Sequence, residues 1–381
     1  MLIRMALALC LGLALASCQD GQYAASTKHL APIPGPALAL MASKGVSASD
    51  PILMRAYKKE SEIELWKRGT DGRYALLKTY PMCRWSGQLG PKTREGDRQA
   101  PEGFYAITPG AMNPNSSLYL SFDVGYPNAF DKSQGRTGSH LMVHGSCSSR
   151  GCFAMTDEAI SEIYAVAREA FAGGQRAFQF QSYPFRMTAE NLARHRQDPH
   201  MAFWKNLKEG SDQFEVTGSE PVIAVAEGRY AFTPSGGGDA STAIARKRDE
   251  DERAVAALVA KGTPAIKLVY EDGSQHHSFR ETMMANTAGP AGTFAALDAR
   301  PSRGHGLGEV SRPEALAAGP QEIAMVVPTR NTLSVTGGAS ARQALPKPGT
   351  TKPVTIVARA GKEPDRTGLR KVVASAGDGR D

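Results

Sequence analysis

The sequence predicts an α+β fold: a β-rich, sandwich-like domain with flanking helices, followed by a largely disordered C-terminal tail. Three observations carry this. Between Pro51 and Gly145, short runs of apolar and β-branched residues alternate with turn chemistry. From Thr156 onward the apolar residues switch to helical spacing. Beyond Pro234, Gly, Ala, Pro and Ser dominate, and large apolar side chains become too sparse to offset the entropy of ordering the chain. The 381 residues include 39 Gly and 24 Pro, with 41% hydrophobic and 7% aromatic residues. That supplies one sizeable core, not enough for the full length.

Residues 1–17 read as a secretory signal. Arg4 is followed by an apolar run from Met5 to Leu15, too short for a stable membrane span. The run ends in Leu15-Ala16-Ser17-Cys18, which resembles a bacterial lipobox and implies cleavage before Cys18 and lipidation of its thiol. Gln19, in place of the Asp that marks inner-membrane retention, favours the outer membrane. The alternative is an ordinary signal peptide with an incidental cysteine. The expectation is a periplasmic protein, lipid-anchored to a bacterial membrane. Residues 18–50, rich in Pro, Gly, Ala and Ser, read as a flexible tether.

Residues 51–232 read as the folded domain. "ILMRAYKK" and "SEIELWKR" are strand candidates, "GTDG" supplies a turn, and "RYALLKTYPMC" returns. "EGFYAI", "SLYLSFDV" and "SHLMVHG" continue the series. A helix then opens at Thr156 or Asp157, with Ile160, Ile163, Tyr164, Ala167 and Phe171 on one face, and ends at Gly173-Gly174. "RAFQFQSYPFRM" reverts to strand, two helices follow near Ala189–His195 and His200–Lys208, and "PVIAVAEGRYAF" suggests a hairpin. Residues 233–381 form the low-complexity tail, in which "DEDERAVAALVAKG" is a short amphipathic helix, His276-His277 is exposed, and "GHGLG" at 304–308 is linker.

The formal net charge of +7 suits an anionic partner such as a membrane surface or an acidic wall polymer. No RNP-like or zinc-finger pattern supports nucleic acid. Of five cysteines, Cys10 leaves with the signal and Cys18 carries lipid, so Cys83, Cys147 and Cys152 remain in an oxidising space.

The densest chemistry lies in "HLMVHGSCSSRGCFAMTD", 140–157. Zinc wants paired ligands with a matching second half, and neither a carboxylate nor a second pair stands nearby, so no metal is expected. A Cys147–Cys152 disulfide closing a small loop is one reading. A nucleophile is another: Cys152 follows Ser149-Arg150-Gly151 and precedes a helix whose N-terminus favours a thiolate. His144 is placed to take the thiol proton or to pair with the thiolate. Gly151 lets the backbone approach an acyl group, and the N–H groups of 150–152 are candidates for an oxyanion site. Ser149 either contacts His144 or substrate, or only caps the turn. His140 reads as a strand residue, and Trp66, Trp85 and Trp204 as core.

At this point the sequence resembles the L,D-transpeptidases with a YkuD-type catalytic domain, nearest the YafK-like branch. The resemblance rests on His144-Gly145 followed by Ser149-x-Gly151-Cys152, and on the ordered blocks 83–107, 125–131, 144–157, 183–188 and 203–210. It spans roughly residues 51–230. It implies Cys152 as nucleophile, His144 as base, no cofactor, and peptidoglycan stem peptides as acyl donors. The thioester would pass to an amine on another stem or on a wall-attached outer-membrane protein. Some members of the branch use water instead, so hydrolysis that releases wall-linked protein or trims stems is the first alternative. A non-catalytic wall-binding lipoprotein is the second. Many members carry Arg two residues after the cysteine, where this chain has Ala154, and Arg150 or Arg186 is the candidate replacement. Arg186 also reads as a fold-stabilising ion pair, and Lys92, Arg94 and Arg98 as a solvated loop. Because one mature thiol must stay free to react, the expected disulfide joins Cys83 to Cys147.

Overall fold

The computed structural model describes residues 27–234, 237–281 and 313–325. The expected signal segment 1–17, Cys18 and the expected linker at 304–308 lie outside the described residues. Among the described residues, no helix is long and apolar enough to cross a membrane.

The fold is α+β, organised on two five-stranded sheets. The first contains β1 (Ile52–Tyr57), β2 (Glu62–Arg68), β3 (Tyr74–Pro81), β5 (Gly103–Ile107) and β10 (Phe178–Tyr183), in the order β3-β2-β1-β10-β5. The second contains β4 (Arg84–Trp85), β6 (Met112–Asn113), β7 (Ser121–Asp123), β8 (Met142–His144) and β9 (Phe153–Ala154), in the order β4-β9-β8-β7-β6. In β1 every residue is buried, and the strand pairs antiparallel with β2 and parallel with β10. A strand covered on both faces has no reason to alternate, which accounts for its unbroken apolar reading around Arg55.

The sheets share one core. Phe153 of β9 meets Phe180 of β10 edge-on with centroids 5.3 Å apart, and Phe122 of β7 meets Phe178 at 5.8 Å. Aromatic pairs of this geometry add to the burial term. Two short helices come first, α1 (Gly35–Ser43) and α2 (Ala129–Ser133). The amphipathic α3 (Asp157–Ala172) buries Ile160, Ile163, Tyr164, Ala167 and Ala170. Thr156 caps it by accepting from Ala159 N–H at 3.1 Å. The helices α4 (Ala189–Arg194) and α5 (Met201–Thr217) follow, then the hairpin β11 (Val222–Ala226) and β12 (Arg229–Thr233). α5 continues through Gly210, well past Lys208. A Cβ at Gly210 would lie 2.5 Å from Phe104 and 2.6 Å from Phe232, so this glycine serves close packing and not a break.

Both expected boundaries of the folded domain need correction. Residues 27–50 are no tether as far as they are described. α1 docks through Ala37 and Met41, with Ile33 and Val46 beside them in the core, and Arg168 donates to the carbonyls of His29 and Ala31. Ile33, Ala37 and Met41 recur every four residues, and this narrow stripe is enough to hold an otherwise Ala-rich segment. Nor does structure end at 232. α6 (Gly237–Ala260) packs against α4 and α5, and β13 (Ile266–Val269) pairs with β14 (Gln321–Ala324), which follows α7 (Pro313–Ala318). Ser274 bridges to Trp85 of β4, and His276 is part-buried against Glu62 at 3.4 Å, not exposed.

The loop 86–102 is solvated only in part: Arg94 is exposed, Arg98 is half-buried and Lys92 is buried. Lys58, fully buried, donates to Gly90 O and Ala100 O at 3.0 Å and to Glu102 at 2.9 Å. Glu102 also accepts from Gly90 N–H and Trp204 Nε1. A buried pair whose donors and acceptors are all engaged fixes geometry more than it adds stability.

Candidate active site

β8 and β9 run parallel, with Val143 opposite Phe153 and His144 opposite Ala154. The connection 145–152 must therefore carry the chain back to the start of the next strand within a few residues. It does so through left-handed backbone at Ser146 (φ 66°), Cys147 (φ 44°) and Gly151 (φ 124°). A Cβ at Gly151 would also press on Gln99 O and Leu141 at 3.4 Å. Cys152 ends this connection, two residues before the partner of His144.

Several bonds hold the turn. Cys83 and Cys147 form a disulfide with Cα atoms 5.3 Å apart, leaving Cys152 as the free thiol among the described residues. Ser149, buried, accepts from Gly151 N–H at 3.3 Å and Cys152 N–H at 3.1 Å and donates to Cys152 O at 2.7 Å. Ser86 donates to Ser149 Oγ at 2.7 Å. Ser149 thus staples the turn, and its hydroxyl already occupies the N–H groups of 151 and 152.

His144 is buried, and its Nδ1 lies 2.6 Å from Gly145 O. A carbonyl only accepts, so Nδ1 carries the proton and the neutral ring leaves Nε2 as the acceptor. Burial pushes the imidazole pKa below its ordinary value, an effect partly opposed by the Gly145 bond. Cys152 is half-buried, and its thiol faces His140 O at 3.8 Å. Burial raises the thiol pKa, the Met142 backbone and Lys92 lower it, and Asp123 raises it. The resting pair is therefore neutral thiol and neutral imidazole.

The expected helix dipole is absent from this balance. β9 intervenes between Cys152 and α3, and the first turn of α3 carries Asp157 and Glu158, with Asp157 accepting from Ser146 N–H at 2.8 Å. Other expectations shift as well. His140 lies outside β8 with φ 54° and contributes its carbonyl, not a strand side chain. Arg150 is exposed, two residues before Cys152. Arg186 is committed elsewhere, to Glu62 and Glu64 at 2.6 Å with its guanidinium over Tyr57, which is its ion-pair reading. Trp85 and Trp204 are core, and Trp66 is partly exposed. Ala154 is buried between Arg84 and His144 across the sheet.

Lys92, Asp123 and Ser86 were not singled out by motif. Lys92 is buried, bound to Asp97 and to Arg94 O, and its charge acts on the thiol. Nothing in local spacing signals such an influence. Among the described residues, no group of three or more His, Cys, Asp or Glu is arranged to hold a metal ion.

Residues 56–172 match the family described as YkuD, L,D-transpeptidase catalytic domain. The chain is 41% identical over 183 residues to "Putative L,D-transpeptidase YafK" of Escherichia coli K12, covering 48% of this chain and 74% of that protein. The same figures hold for the protein of that name in Escherichia coli O157:H7. Among solved structures, the helical cell shape determining protein Pgp2 of Campylobacter jejuni is similar at 17% identity and TM-score 0.28, over 61% of this chain and 80% of that one. Bdellovibrio bacteriovorus Bd1075 is similar at 14% identity and TM-score 0.26, over 47% of this chain and 78% of that one.

Proposed function

The chain belongs to the L,D-transpeptidase family, enzymes of the cell wall that act on peptidoglycan stem peptides, and we propose that it performs acyl transfer through a thioester on Cys152. The observation that carries this reading is the tautomer of His144. With Nδ1–H held by Gly145 O, the neutral ring keeps Nε2 as the acceptor for the Cys152 thiol proton.

The stem-peptide carbonyl enters beside Cys152, and His144 Nε2 accepts the thiol proton as sulfur attacks carbon. The C–N bond then breaks, and His144 returns the proton to the leaving amine. An acceptor amine attacks the thioester, losing a proton to His144, and the sulfur departs as thiolate and is reprotonated. His140 O, the resting partner of the thiol, is released in the first step. Exposed Arg150 is the candidate to meet a substrate carboxylate, and the Ser149 staple holds the Cys152 backbone in place. The same centre cuts stem or protein–wall bonds if water replaces the amine. We propose periplasmic action with Cys18 as a lipid anchor, and a wall-attached outer-membrane protein as one acceptor.

Two measurements test this. Muropeptide analysis of wall fragments should show new cross-links or attached amines with the wild type and none with Cys152→Ala. Loss of such links, without new ones, would assign hydrolysis, and retained wall activity in Cys152→Ala would overturn both. Because the base must be neutral and burial depresses its pKa, acylation should rise with pH through a midpoint below 6.5, the ordinary imidazole value. A midpoint above 6.5 would contradict a buried neutral His144.

A further inference from the structure

We propose that the segment 265–277, which lies outside the residues matched to the catalytic family, clamps the catalytic turn, and that Asp272 is the positioning residue of that clamp. The inference rests on Cys152 being the nucleophile.

The segment lies along β4 as an added strand would. Trp85 N–H donates to Ser274 O at 3.0 Å, Ser274 N–H returns to Trp85 O at 3.1 Å, and His276 N–H donates to Met82 O at 3.0 Å. Upstream, the Gln88 amide mimics a strand partner: Tyr270 N–H donates to Gln88 Oε1 at 2.9 Å, and Gln88 Nε2 donates to Tyr270 O. The Tyr270 ring stands edge-on to Trp85 at 5.0 Å. Gly273, with φ 77°, passes so close that a Cβ would fall 1.8 Å from Trp85 O. No other residue fits at that position without displacing the clamp.

Asp272 sits between these contacts and reaches the loop that supports the nucleophile. Its Oδ1 accepts from Gly87 N–H at 3.2 Å, and its Oδ2 accepts from Arg84 at 3.4 Å and from Arg98. Two short routes lead from there to Cys152. Gly87 follows Ser86, whose hydroxyl donates to Ser149, and Ser149 holds the backbone N–H and carbonyl of Cys152. Arg98 adopts left-handed backbone at φ 57°, a conformation that needs its surroundings to hold it. Its carbonyl carbon and Gln99 O pack against Gly151, at 3.6 and 3.4 Å from a Cβ placed there. Through these bonds Asp272 acts on the placement of Ser149 and Gly151.

A double-mutant cycle on the full-length protein tests the clamp. The variants are Asp272→Ala, Ser149→Ala and both together. The readouts are the rate of Cys152 alkylation by iodoacetamide, mapped on the Cys152 peptide, and the turnover of wall fragments, each below the melting midpoint. Asp272→Ala should slow both about tenfold, but no more than threefold when Ser149 is already Ala. Asp272→Asn keeps shape and the acceptor for Gly87 N–H, guards against a folding defect, and should fall between. The proposal is overturned if Asp272→Ala stays within twofold of wild type, or if the two single effects multiply in full. A melting shift with unchanged rates likewise overturns it. The alkylation cycle decides the clamp independently of wall chemistry, which Cys152→Ala decides.

Discussion

The two five-stranded sheets are built on opposite terms. The first has strands of five to eight residues in continuous register, broken by one irregularity between Leu65 and Trp66, and an apolar centre in β1 and β10. The second has strands of two or three residues, left-handed backbone at Tyr119, His140, Ser146 and Cys147, a disulfide, and the candidate catalytic thiol and imidazole. The first gains its order from repetition and burial. The second is held by individual bonds between side chains and backbone, each placed by a different stretch of chain. Damage to the first should therefore cost stability, and damage to the second should cost chemistry.

The largest effect that would sharpen this contrast belongs to the second sheet. Cys152→Ala should lower turnover of wall fragments by about 10⁴-fold or more while leaving the melting midpoint close to wild type. A collapse of melting would break the contrast. Next comes the first sheet: Phe180→Ala, at a fully buried position against Phe153, should cost about 4 kcal/mol in denaturant unfolding. The specific activity of the folded fraction should remain.

A pH effect follows, from a residue belonging to neither sheet. His195 is buried against Phe185 and Trp204, with both ring nitrogens lacking a partner among the described residues. Burial, then Lys59 and Arg194, depress its pKa to about 4. The unfolded chain binds the proton more readily. Stability should be full above pH 6.5 and fall as the pH drops to about 4, by about 3 kcal/mol. His195→Phe should remove that slope from unfolding curves, whereas a slope unchanged in the variant would assign it to other groups. The smallest effect returns to the turn. Ser149→Ala removes the staple on Cys152 and should reduce turnover about tenfold with little change in KM. A pure KM effect would instead make Ser149 a substrate contact.

The first sheet was the more legible of the two in the sequence. "ILMRAYKK", "SEIELWKR" and "RAFQFQSYPFRM" carry strand patterning through their own apolar residues, and the α3 face from Ile160 to Phe171 is periodic. Cys152 and His144 stand out as a motif because the proposed chemistry demands those residue types close together. The supports of the site do not. Ser86 and Lys92 on the loop 86–102, Asp123 at the end of β7 and Asp272 downstream come from three separate segments, and interactions made across the fold have no local spacing to betray them. The clamp is bonded largely through backbone groups, which every sequence has, and Gly273 reads there as mere flexibility. α1 was missed for a related reason: an Ala-rich helix carries a weak stripe, and its burial is decided by the core it meets.

The most direct test of the central claim is intact mass spectrometry of the full-length protein after brief incubation with purified wall fragments. The account predicts a covalent adduct of stem-peptide mass on Cys152, removed by added amine or water and absent in Cys152→Ala. Wall fragments processed at the wild-type rate by Cys152→Ala, with no adduct on Cys152 in the wild type, would contradict it.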